Sequence, residues 1–142
     1  MTVRPRRSVL YVPGSSPRAL AKARTLACDG VILDLEDSVA PEAKEAAREA
    51  VASAAAAGDW APRELLIRVN ARGTRWHEGD VGALARAPID GLVLPKVESA
   101  EDVAATAALL ASAGAPPGFP LWLTIETPRG VLPPDVAAGG KH

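Results

Sequence analysis

Residues 30–37 read Gly-Val-Ile-Leu-Asp-Leu-Glu-Asp. The apolar residues follow one another with little alternation, and the run then ends in acids. A short unbroken run of this kind is a strand buried on both faces, the habit of parallel sheets covered by helices. Four further runs repeat it: Ser8–Val12 (SVLYV), Glu64–Val69 (ELLIRV), Gly91–Leu94 (GLVL) and Leu121–Ile125 (LWLTI).

Helical stretches fill the gaps. Ser16 caps one that opens on Pro17 and is expected to reach about Ala27. Pro41 opens a second, through Ala57 to Gly58. Glu78–Ala87 is a shorter third, weakened by Gly79 and Gly82. Ser99 caps a fourth with Asp102 as its reciprocal partner, and that helix stops at Gly114. The order is β-α-β-α-β-α-β-α-β, an α/β chain of five parallel strands with four intervening helices. Two architectures fit. One is a doubly wound open sheet, complete at this length, such as a receiver-like binding or signalling module. The other is a partial TIM (β/α)₈ barrel, whose full form needs about 250 residues. On the second reading residues 1–130 are the N-terminal portion of a barrel. Residues 131–142, with two prolines, two glycines and no apolar run, are a truncated or disordered tail.

Composition narrows the function classes. The chain has 142 residues, 48% hydrophobic and 23% charged, enough apolar material for a core. A net charge of −1 gives no electrostatic footprint for nucleic acid or an anionic membrane surface. No run is long enough to span a bilayer, and the basic start (Arg4, Arg6, Arg7) precedes too short an apolar run for a signal peptide. The one cysteine, Cys28, excludes an internal disulfide framework and reads as an inert, half-buried thiol; the default setting is reducing and cytoplasmic.

In both architectures chemistry gathers at the carboxyl ends of the strands. Those ends carry Tyr11 to Gly14, Asp34 to Asp37, Arg68 to Asn70, Pro95 to Glu98, and Glu126. Arg68 lies in an apolar strand, so it needs an anionic partner. That partner is either a substrate carboxylate gripped by the guanidinium fork or a structural ion pair with Asp34 or Glu36. Glu126 is either a ligand for a hard cation or a capping carboxylate paired with Arg129. Asp34, Glu36 and Asp37 either support a metal from outside its ligand set or begin a turn. Lys96 either balances that charge or sits on the surface. The Pro13–Pro17 loop leads to a helix N-terminus, with Arg18 and Lys22 one turn apart. His77, beside Trp76 in a polar loop, is expected to be exposed and not catalytic.

Five ordered blocks, Arg7–Gly14, Val31–Pro41, Arg68–Asn70, Leu94–Ser99 and Ile125–Thr127, resemble the citrate lyase β-subunit and malyl-CoA lyase family of aldolases. The resemblance implies a TIM-type barrel that uses Mg²⁺ to cleave or form a carbon–carbon bond in a β-hydroxyacyl thioester. The metal would stabilise the developing enolate. By position, Glu126 would be a Mg²⁺ ligand and Arg68 would bind the oxo-acid carboxylate, these two forming the catalytic pair. Tyr11, Arg18 and Lys22 would contact substrate or the CoA (or acyl-carrier) thioester, although lysine is common in the family where Arg18 stands. Glu36 and Asp37 would lie near the metal. Copies of the full-length family protein would associate. The family's second metal ligand, an aspartate on the strand after Glu126's, is expected beyond the end of this chain.

Overall fold

The computed structural model describes residues 4–132. Five strands are present: β1 (Val9–Pro13), β2 (Gly30–Asp34), β3 (Glu64–Arg68), β4 (Gly91–Leu94) and β5 (Leu121–Leu123). All pair in parallel, in the spatial order β1-β2-β3-β4-β5. Sequential order without a reversal removes the switch point of a doubly wound sheet, so the receiver-like alternative fails on topology.

The helices decide the rest. They are α1 (Pro17–Ala23), α2 (Lys44–Ala56, preceded by a 3₁₀ turn at Pro41–Ala43), α3 (His77–Leu84), α4 (Ala100–Ser112) and a short α5 (Pro128–Val131). Leu20, Val51, Val81 and Leu110 from α1 to α4 share one apolar cluster with Val31, Leu33, Leu65, Ile67, Leu92 and Leu94. The alternate strand positions Ile32, Leu66 and Val93 form a second cluster with Trp122. Helices therefore cover one face and side chains alone close the other, which makes the sheet an arc of a (β/α) barrel. The described residues do not close the circle: β1 and β5 are both edges.

Register places the functional end. Asp34 lies beside Arg68, and Arg68 beside Val93, on the helix-free face. Tyr11 is one step below, beside Ile32. At the opposite end Arg6 pairs with Glu64 and stacks over Trp122 at 4.7 Å, plugging the interior. Gly14 permits β1 to leave the sheet close to β2: its N–H donates to the Asp34 carbonyl at 2.8 Å, and a Cβ there would stand 2.7 Å from that oxygen.

Three local expectations change. Helix α1 stops at Ala23, four residues early, because Arg24 is drawn to the Trp60 ring and the Ala54 carbonyl and Thr25 back-bonds to Lys22. Val131 ends a helical turn that Thr127 caps, where an unstructured tail is expected. The remaining tail residues, 133–142, lie outside the described residues. Among the described residues no helix is long and apolar enough to cross a membrane.

Candidate active site

The β2 end is a wound turn held by its own first acid. Asp34 Oδ1 accepts the Glu36 N–H at 2.8 Å, and Oδ2 accepts the Ser38 N–H at 3.0 Å and its hydroxyl at 2.5 Å. Arg68 then donates Nε to Oδ1 at 2.7 Å and Nη2 to Oδ2 at 2.8 Å, a bidentate pair at 1% exposure for the aspartate. Its Nη1 lies 3.4 Å from Glu36 Oε2, and its guanidinium lies 4.8 Å from the Tyr11 ring centre. The structural ion pair envisaged for Arg68 is thus present with both Asp34 and Glu36. The pair with Asp34 uses Nε and Nη2, and Nη1 faces Glu36.

Lys96 extends the network. Its ammonium pairs with Glu36 and reaches Asp37 Oδ1 at 3.0 Å, while its main-chain N–H donates to Glu126 Oε1 at 3.0 Å. Both readings of Lys96 hold: it balances the charge of Glu36 and Asp37 and it stands exposed. Arg68 and Glu126 are therefore linked through Glu36 and Lys96 across one mouth. Glu126 itself is exposed. Arg129 pairs instead with Glu98, at 3.9 Å. Tyr11, Pro13, Asp34, Asp37, Ser38 and Arg68 line a cleft of ≈430 Å³. Arg18 and Lys22 stand exposed on α1 and do not line that cleft.

Burial would by itself push the Asp34 carboxyl up. Arg68, Ser38 and the two main-chain N–H groups outweigh it and hold the carboxyl at about 2. Lys96 is the main cause of a lowered Asp37, and Glu36 the main cause of a raised Lys96. A depressed carboxylate contributes stability that is present above its unfolded value and lost as pH falls through its folded value. Asp34 should therefore account for about 2 kcal/mol of stability, lost between about pH 4 and 2. A carboxyl carbon titration is expected to put its midpoint near 2; a midpoint near 4 would show that the Arg68 pair does not hold it.

Some participants escape the sequence reading. Lys44 is buried and donates to the Leu35 and Glu36 carbonyls at 2.9 and 2.8 Å, clamping the turn that carries Glu36. Its signal was a cation in the first turn of a helix, where the dipole disfavours positive charge. His77 is a correction. It is 4% exposed, its Nδ1 sits 2.8 Å from the Asn70 carbonyl and its Nε2 3.4 Å from Thr106 Oγ1. The loop that reads as polar folds inward because Asp80 accepts the Asn70 N–H at 2.9 Å, its side-chain amide at 2.7 Å, and Arg48 Nε at 2.7 Å. Cys28 is half-buried, as expected.

A magnesium site needs hard oxygen donors, commonly one or two carboxylates with water and substrate supplying the rest. Glu126 fits: it is exposed, and its Oε1 takes one main-chain N–H. No group of three or more acidic, histidine or cysteine side chains suited to a metal occurs among the described residues. Among the described residues Glu126 is thus a candidate single-carboxylate foothold for such an ion, without a closed cage around it.

The family model described as HpcH/HpaI aldolase/citrate lyase matches residues 7–135. The chain belongs to that family. It is 44% identical over 128 residues to a (3S)-malyl-CoA thioesterase of Cereibacter sphaeroides, covering 90% of this chain and 43% of the relative. It is 34% identical to a citrate lyase subunit beta of Leuconostoc mesenteroides subsp. cremoris, over 89% of this chain and 44% of the relative. Among solved structures, the citrate lyase beta subunit of M. tuberculosis complexed with oxaloacetate and magnesium superposes with a TM-score of 0.69 at 35% identity, over 92% of this chain and 52% of that one. The chain thus spans about half the length of these relatives.

Proposed function

We propose that residues 1–130 form the N-terminal portion of a Mg²⁺-dependent carbon–carbon lyase acting on a β-hydroxyacyl thioester of the citryl- or malyl-CoA type. The observation that carries the reading is the juxtaposition of Arg68 and Glu126 at one mouth, joined through Glu36 and Lys96. Asp34 fixes the guanidinium plane by its Nε edge. The remaining end-on fork offers two parallel N–H bonds to an oxo-acid carboxylate, which would take over Nη1 from Glu36. Tyr11, stacked on Arg68, walls the cleft. Glu126 would hold Mg²⁺, whose Lewis acidity favours negative charge on the oxo-acid oxygens. Arg18 and Lys22, outside the cleft, would meet the phosphates of a CoA or acyl-carrier arm. Association of copies belongs to the same proposal, as does a cytoplasmic setting.

Calorimetry on the purified chain tests it. Glyoxylate or oxaloacetate is expected to bind at least tenfold more tightly with Mg²⁺ than with a chelator, and Glu126→Gln should abolish the difference. Equal heats with and without the ion would end the proposal.

The thioesterase name of the 44% identical relative favours a second reading, hydrolysis of the same thioester. Carbon–carbon cleavage leaves the thioester intact and releases a carbonyl acid, whereas hydrolysis releases a thiol. A thiol reagent and a carbonyl reagent applied to one malyl-thioester incubation distinguish them.

A further inference from the structure

Lys44 is a buried cation without an acid of its own. It is 6% exposed, and the acids around it, Asp34, Glu36, Asp37 and Asp80, pair instead with Arg68, Lys96 and Arg48. Its ammonium donates to two main-chain oxygens, of Leu35 at 2.9 Å and Glu36 at 2.8 Å. The Trp76 ring centre lies 5.2 Å away. The indole Nε1–H is sealed from solvent with no hydrogen-bond partner among the described residues, so the ring face, not the N–H, seats Trp76. The two carbonyls matter for what stands at the other side of their peptide groups. A trans peptide is planar and sets its C=O and N–H in opposite directions. The peptide that gives Lys44 the Leu35 oxygen gives the Glu36 N–H to Asp34 Oδ1 at 2.8 Å, and that oxygen accepts Arg68 Nε at 2.7 Å. The next peptide gives Lys44 the Glu36 oxygen and the Asp37 N–H to Glu36 Oε2 at 3.1 Å, the oxygen that lies 3.4 Å from Arg68 Nη1. Two relays thus run from one ammonium to two nitrogens of one guanidinium. A cation on a carbonyl oxygen also polarises the peptide and strengthens its N–H as a donor.

We propose that Lys44 is a positioning residue: through these two peptide groups it holds the carboxylates that set the Arg68 guanidinium for an oxo-acid carboxylate. The inference rests on the reading above, in which Arg68 takes that carboxylate. Without the ammonium, two carbonyls face a buried space with their donor gone. Turning either peptide outward to find water swings its N–H off a carboxylate on which Arg68 depends. A tilted guanidinium then loses one of the two parallel bonds that a bidentate match requires. A lysine that only fastened α2 to the sheet would cost stability without reaching Arg68.

The test compares Lys44→Met with Leu110→Ala on the full chain. Leu110 is 3% exposed and lies beside Phe119 and Leu121, at the opposite end of the strands, so its truncation costs stability away from the mouth. Two quantities are read: solvent exchange of the Arg68 Nε–H by NMR, and glyoxylate affinity in Mg²⁺ by calorimetry. Lys44→Met is expected to speed the exchange and to weaken glyoxylate by about tenfold each, the equivalent of one hydrogen bond. Leu110→Ala should change neither, and Lys44→Arg, which can still donate to both carbonyls, should recover most of the loss. Trp76→Leu strands no charge and should show a smaller loss in the same direction. Parental Arg68 exchange in a Lys44→Met chain with parental circular dichroism would overturn the proposal, as would an equal change in Leu110→Ala. If Lys44→Met fails to fold, Trp76→Leu decides, and an unchanged Arg68 resonance there overturns it. A parent that binds no glyoxylate with Mg²⁺ sinks the functional reading, while the Arg68 exchange reads Lys44 without any ligand.

Discussion

Replacing Arg68 by Met is expected to lower the unfolding free energy by about 3–5 kcal/mol, the loss typical when one partner of a buried ion pair is removed. The magnitude follows from what stays behind. Asp34 and Glu36 are 1% and 6% exposed, and neither can turn to water when the guanidinium goes. Serine and main-chain donors still solvate Asp34, but its bidentate cation is gone. Arg68→Lys keeps the charge as a point and forfeits the planar two-bond match, so a loss of about 1–3 kcal/mol is expected. The double variant Arg68→Met with Asp34→Asn should lose less than the two single losses together, because each single change strands the other's partner. The sign with pH is fixed as well. Below about pH 2 Asp34 is protonated in both states, so the gap between parent and Arg68→Met should narrow in acid. Denaturant titrations at pH 7 and pH 2 measure both. A loss under about 1 kcal/mol at pH 7 would mean that the pair is not the keystone of the β2–β3 end.

Arg68 also shows how far sequence carries. An arginine among Leu65, Leu66, Ile67 and Val69 demands an anion, and the nearby acids were visible as candidates. The choice between a structural and a substrate partner was not legible, because it depends on register. Register sets Asp34 beside Arg68, and no linear pattern within either strand encodes that adjacency. The five strands were legible because each is an unbroken apolar run, and α4 because Ser99 and Asp102 form a capping box. Barrel against doubly wound sheet was not legible from periodicity. Both need buried parallel strands, and they differ in whether helices cover one face or two. The five matching blocks supplied what periodicity could not. Lys96 was ambiguous for a related reason: its meaning depends on a positive φ that Pro95-Lys96 does not announce.

The α3 region was the least legible, and there a second large effect is expected. Helix α3 has Gly79 and Gly82 in its middle, and beside Val81 and Leu84 it buries His77 and Asp80. Polar atoms help those two apolar residues to seat it. Asp80, fully buried, joins α2 through Arg48 to the end of β3 through both nitrogens of Asn70. Asp80→Ala leaves Arg48 half-buried without its carboxylate and leaves two Asn70 donors unpaired in a site 2% exposed. Leaving one charge and two donors stranded is expected to cost about 3–5 kcal/mol. Because Asn70 stands two residues beyond Arg68, the damage should reach the mouth. Hydrogen exchange over residues 70–76 is expected to open well below the energy of global unfolding, while residues 30–36 keep their protection. Asp80→Leu combined with Arg48→Met removes both charges and refills the space, so it should recover part of the loss despite the orphaned Asn70. If Asp80→Ala cost under about 1 kcal/mol, or if the exchange pattern softened uniformly, the claim that a polar staple adds to apolar packing in seating α3 beneath the Arg68 end would be wrong.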